Sequence, residues 1–214
     1  MKQKPWLFFT ILTTICWGFW GAFIEIPEQA GFPATFSYVV WSLTMVPCSF
    51  FALRIIRWKL DADSKSIFLG MVTGVAGAGG QLILFLALRH VPAYLVFPVV
   101  SLFPILTIIL SVCFLKETTT RKQLFGIILA IISIFLLSYN SAGDGRACNY
   151  YWLFLPVCVF LMWGIQGFVM KLANNVMKAE SIYFYMTVSA LLLSPFAVSM
   201  TSFNNHINCG FKGP

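Results

Sequence analysis

Charge is what this 214-residue chain has least of. It holds 14 Lys+Arg and 7 Asp+Glu, so charged residues make up 10% while hydrophobic ones make up 59%. A soluble domain carries about 25% charged residues. With a mean hydropathy of +0.86, the chain has too little polar surface to cover a globule in water. That excludes an ordinary soluble enzyme, a disordered chain and a nucleic-acid module. The basic balance is therefore read against a membrane. Metal-ligand spacing is also lacking, since no CxxC occurs among the six Cys, and no zinc site is implied. Cys16, Cys48, Cys113 and Cys158 lie in apolar runs and read as buried small hydrophobes. Cys148 and Cys209 lie in polar connections.

Seven long runs contain no Lys, Arg, Asp or Glu: Trp6–Ile24, Pro33–Leu53, Ser66–Leu88, His90–Leu115, Gln123–Tyr139, Ala147–Met170 and Ser181–Phe203. A helix crossing the hydrocarbon needs about 20 apolar residues. The fifth run is short, but Arg121 and Lys122 can snorkel at its start. The runs are apolar all round, without the alternation of barrel strands. An all-α polytopic bundle of seven transmembrane helices follows. The first run is too long for a signal-peptide core and has no small-residue cleavage site, so it reads as a retained helix.

The basic residues divide unevenly between alternate connections. Lys2, Lys4, Arg54, Arg57, Lys59, Lys65, Lys116, Arg121, Lys122, Lys171 and Lys178 fall on one side. Only Arg89, Arg146 and Lys212 fall on the other. The positive-inside rule then makes the N-terminus cytoplasmic, in the cell membrane.

An internal repeat is visible. Trp17-Gly18-Phe19-Trp20-Gly21 ends its helix at Glu25, and Trp163-Gly164-Ile165-Gln166-Gly167 ends its own at Lys171. Downstream, Ser37-Tyr38 and Ser181-Ile182-Tyr183 open the next helices, with Pro47 and Pro195 late in each. Five helices per unit is odd, so the second copy is inverted. The boundaries are residues 1–140 for the first repeat and 141–214 for a partial second one. The expected architecture is a 5+5 inverted-repeat fold of ten helices with seven present, which makes the chain a truncated product. Inverted repeats place a substrate cavity near the membrane midplane.

Three stretches carry a family resemblance. They are the Trp17-Gly18 and Trp163-Gly164 starts, the run Ala87-Leu88-Arg89-His90-Val91-Pro92-Ala93 with Pro104, and Phe114-Leu115-Lys116-Glu117-Thr118 through Gln123 and Gly126. The chain resembles the EamA-type transporters of the drug/metabolite transporter superfamily. The first repeat departs from the family pattern at Glu25, where Lys is often found, while Lys171 fits it. The resemblance implies secondary transport of a small organic metabolite by alternating access. It implies no cofactor. Its partners are the small-molecule substrate and the lipid bilayer, with a homo-oligomer compatible.

No carboxylate lies mid-helix, so stacking and neutral hydrogen bonds must hold a substrate. Trp17, Trp20 and Trp163 are candidates for an aromatic wall, the other reading being packing or interface anchoring. Gln81 and Gln166 are the amides inside the third and sixth helices. An amide facing lipid leaves its hydrogen-bonding sites unmet, so each faces inward, toward substrate or another helix. Glu25 and Lys171 are gating or coupling candidates, or solvated helix ends. Gly70, Gly74, Gly77, Gly79 and Gly80 permit close packing or helix bending, and Gly126 with Ala130 forms a weaker small-residue pair. Pro92, Pro98 and Pro104 kink the fourth helix.

Other functions fit less well. A seven-helix receptor has its N-terminus outside, and a retinal protein needs a buried Lys that Ser181–Phe203 lacks. An intramembrane enzyme needs an acid pair, a metal cluster or a Ser/Lys dyad mid-membrane, and none is present. His90 and His206 lie at connections and read as solvated. A truncated membrane assembly or regulatory protein without transport activity is the alternative.

Overall fold

The computed structural model describes residues 6–24, 26–118, 120–140 and 150–201. The described residues fall into two compact units, one up to Pro33 and one over Ala34–Thr201.

The first unit contributes α1 (Trp6–Phe23) and the single turn α2 (Ile26–Gln29). Thr13 and Thr14 donate to the carbonyls of Phe9 and Thr10, one turn back, so neither hydroxyl is left unmet in an apolar setting. Gly31 stops α2 with φ 91°. Its left-handed backbone lets the Phe32 amide reach back to the Pro27 carbonyl at 2.9 Å, a Schellman closure.

The second unit holds α3 (Ala34–Ile55), α4 (Ser64–His90), α5 (Ala93–Val100), α6 (Phe103–Leu115), α7 (Arg121–Asn140), α8 (Phe154–Asn174) and α9 (Ala179–Ser199). All of these are apolar helices, and five spans of the unit are long enough to cross a membrane, α5 and α6 counting as one. Their ends are set locally. Arg57 and Trp58 take positive φ after α3, and the Trp58 amide caps the Leu53 carbonyl. Asp63 caps α4 through the Ser66 amide and hydroxyl, at 3.2 and 2.6 Å. Pro92 cannot continue α4 and so opens α5. The fourth run is not one kinked helix: it breaks at Ser101–Leu102, because Pro104 has no N–H to offer the Val100 carbonyl. The sixth helix begins later than its apolar run, at Phe154, after a 3₁₀ turn at Tyr150–Leu153.

α4 is the central element, packed by α8, α9 and α3. Its span is 61% buried, against 22% for Ala93–Leu115. Five glycines explain how α4 accepts neighbours so closely. A Cβ at Gly70 would meet Tyr185, one at Gly74 would meet Ser189, and one at Gly77 would meet Gln166. At Gly79 it would lie 2.6 Å from Met162, and at Gly80 2.6 Å from the Trp163 indole. Side chains from α8 and α9 thus fill the volume that Cβ atoms would need. Gly126 of α7 differs, with nothing within 4 Å, so that weaker small-residue position makes no close approach.

α3 and α9 run antiparallel. Thr35 pairs with Thr201 at 2.7 Å and Ser42 with Ser194 at 2.8 Å. The cysteine expectation is corrected here. Cys16, Cys48 and Cys113 are exposed and Cys158 is half-buried. A thiol is apolar enough to face lipid at no cost, so an apolar run does not imply burial in a membrane bundle. Cys148, Cys209 and His206 lie outside the described residues.

Candidate functional site

The residues Gly70, Gly74, Gly77 and Gln81 share one buried face of α4, at spacings of a helical stripe. Two residues of α8, one turn apart, converge on its middle at Gly77. Trp163 donates its indole N–H to the Gly77 carbonyl at 3.2 Å. The Gln166 amide fills the space beside the Gly77 Cα. Trp163 is buried and also meets Phe103 edge-on, with ring centroids 5.9 Å apart. Thr107 of α6 binds the same part of α8, donating to the Gly164 carbonyl at 2.9 Å.

Gln81 lies one turn beyond Gly77 and is 4% exposed. Its Nε2 has no hydrogen-bond partner among the described residues. A buried donor left unmade costs about 1–3 kcal/mol, so this atom marks a place where the described residues do not complete the polar network. The structure thus brings Gln81, Trp163 and Gln166 into one region of α4 and α8. Trp17 and Trp20 belong to the other unit, where they face each other with centroids 6.2 Å apart. Glu25 lies outside the described residues.

Lys171, near the end of α8, forms an ion pair with Glu117, just beyond α6. Glu117 is reached because Lys116 adopts a left-handed conformation, φ 53°, which ends α6 and turns the chain. The next helix is capped in the same loop: Gln123 accepts from the Thr120 amide and hydroxyl at 2.8 and 2.9 Å. A cavity of about 190 Å³ opens here, lined by Thr107, Ile108, Ser111, Val112, Thr118, Gln123 and the two charges.

A second polar cluster fastens the same end of the bundle. Asp61 accepts from the Lys178 amide at 3.0 Å and the Ser181 hydroxyl at 2.9 Å. The Tyr185 hydroxyl donates to the Asp61 carbonyl at 2.8 Å. The Lys178 amide, then Ser181, holds the Asp61 carboxyl below its ordinary value. This end carries Arg54, Arg57, Lys59, Lys65, Lys116, Arg121, Lys122, Lys171 and Lys178. The other end carries Arg89 among the described residues. There His90 is exposed, as expected, but it is also stacked on Trp152, with centroids 3.8 Å apart.

Sequence reading passed over Thr107 and Asp61 and gave Glu117 no role. Their partners are distant in sequence. The one local signal was Glu117, a carboxylate at a helix join beside hydroxyl residues.

An all-helical bundle with apolar spans and a sparse polar interior is an integral membrane protein. The model of the EamA-like transporter family matches residues 4–139, and the chain belongs to that family of membrane transporters. Among curated relatives, the uncharacterized protein MJ1333.1 of Methanocaldococcus jannaschii is 40% identical over 79 residues, 37% of this chain and 58% of that protein. Protein LicB of Haemophilus influenzae is 24% identical over 212 residues, 92% of this chain and 71% of LicB. The chain thus spans less than two thirds of MJ1333.1. No solved structure matches.

Proposed function

We propose that this protein moves a small polar organic metabolite across the cell membrane by alternating access, with Gln81, Trp163 and Gln166 contributing to its binding. The single observation that carries the reading is that Nε2 of Gln81, buried in the central helix one turn past its midpoint, has no hydrogen-bond partner among the described residues. A substrate acceptor would complete that hydrogen bond, and the neighbouring indole supplies an aromatic face. A substrate held by uncharged groups and released again suits transport better than permanent capture does.

The orientation follows from the basic end, which the positive-inside rule puts in the cytoplasm together with the N-terminus. Trp17 and Trp20 enter the proposal through the sequence repeat alone. Glu25 is proposed as a coupling residue. Glu25→Gln then abolishes pH-driven uptake while leaving the protein folded.

The test is uptake of a panel of labelled polar metabolites into proteoliposomes. The expected result is saturable accumulation of one chemical class, reduced in Gln81→Leu and Trp163→Ala. If nothing crosses with correctly folded protein, the transport reading fails and the non-transport assembly role replaces it.

A further inference from the structure

The cavity at the basic end lies away from Gln81 and has its own, mixed lining, with Ile108 and Val112 beside hydroxyl, amide and charged side chains. Its walls come from both sides of the sequence: Thr107, Ser111 and Gln123 from α6 and α7, and Lys171 from α8. The Lys171–Glu117 ion pair lies on its lining. Ser111 is buried, 4% exposed, in the interior part of the wall.

Two features set this pair apart from a structural brace. The side chains are 42% and 47% exposed. Water competes with such a pair, so its strength is close to thermal energy. It opens at little cost. The scaffold beneath it is firm by contrast. The left-handed turn at Lys116 and the Thr120–Gln123 cap flank the pair with contacts that do not involve either charge. Asp61 anchors the start of α9 independently of the pair. A weak, water-exposed contact on the lining of a cavity, flanked by contacts that do not involve the charges, has the properties of a gate.

We propose that Lys171 and Glu117 form the gate of a subsite at this end of the bundle, their pairing being the contact that narrows the way to Ser111. Its place on a transport path rests on the proposed function. The subsite takes a small, uncharged group of mixed character from the substrate. Ile108 and Val112 offer apolar contact, the Ser111 and Thr118 hydroxyls offer hydrogen bonds, and the two charges cancel while paired.

Thiol accessibility tests this without requiring transport. The native cysteines are replaced by Ser or Ala, Ser111→Cys is introduced, and the protein in lipid nanodiscs is reacted with iodoacetamide, a neutral probe. Glu117→Gln is expected to speed labelling about fivefold, the factor that an exposed pair is worth at most. Lys171→Gln is expected to do the same. The charge-swapped Glu117→Lys/Lys171→Glu protein returns to the parent rate. Equal rates in all of these proteins overturn the gate, and so does a swapped protein that stays fast. Circular dichroism checks that each variant is folded. Gating without uptake of any metabolite would refute the transport function alone, and uptake with unchanged labelling would refute the gate alone.

Discussion

Trp163 of α8 and Gly77 of α4 meet near the middle of both helices through an indole N–H to carbonyl hydrogen bond of 3.2 Å. The contact depends on glycine. Indole atoms lie 2.6 Å from where a Cβ on the adjacent Gly80 would sit, and the ring is buried with little room to retreat. Gly80→Ala should therefore overpack the interface and destabilise the protein by about 1–3 kcal/mol. Gly126→Ala is the control. Nothing lies within 4 Å there, so the gain in helix propensity should stabilise by about 0.5–1 kcal/mol. Unfolding titrations in mixed micelles read both. The same sign for the two variants would refute the packing role of Gly80.

Gln81 separates structure from function more sharply. Its Nε2 is a buried donor without a partner among the described residues. Removing such a group while keeping the volume should relieve its desolvation cost, about 1–3 kcal/mol. Gln81→Met is expected to raise stability and to lower uptake at the same time. An amide that serves only helix packing would give the opposite pair, lower stability with uptake intact.

How far the sequence carried the structure follows from what each signal depends on. Membrane helices announce themselves because hydrocarbon demands length and apolarity from consecutive residues, and the runs without charge did mark the helices. Gln81 stood out as an amide in an apolar run. The glycines of α4 were legible as close-approach positions, although not which neighbour filled each one. Lys171 was singled out, yet its partner Glu117 lies beyond a different helix, and only the packing of α6 on α8 joins them. The break at Ser101–Leu102 was half visible through Pro104. The cysteines misled because an apolar residue in a membrane protein has two suitable environments, the bundle interior and lipid. Burial cannot be assigned from composition there.

Tyr38 tests what holds α3 to α9. Its side chain is fully buried, and its hydroxyl donates to the Ala190 carbonyl at 3.1 Å. That carbonyl also accepts from Ser194 at 3.0 Å, so it stays satisfied without Tyr38. Tyr38→Phe should cost only about 0.6 kcal/mol, the average for a hydrogen bond between membrane helices. Tyr38→Ala removes the ring as well and should cost about 3–5 kcal/mol. Unfolding of both variants under the same conditions gives the ratio. Near-equal losses would mean that the hydroxyl, and not the ring volume, holds the seam.

Acid should loosen the end of the bundle fastened by Asp61. Its carboxyl is held below the ordinary value by hydrogen bonds from the Lys178 amide and the Ser181 hydroxyl. A carboxyl with a lowered folded pKa contributes stability that is complete above the unfolded value, about 3.9. That contribution is lost as pH falls through this value and on through the lower folded one. The expected profile for this junction is flat from pH 7 to about pH 5 and falling below about pH 4. Asp61→Asn should lower stability at pH 7 by about 0.5–1.5 kcal/mol, the range for one hydrogen bond. It should also remove part of the acid-dependent loss. Hydrogen exchange at the first turn of α9, followed across pH, reports on this junction directly. A variant that keeps the full acid dependence would show that another group fastens this end.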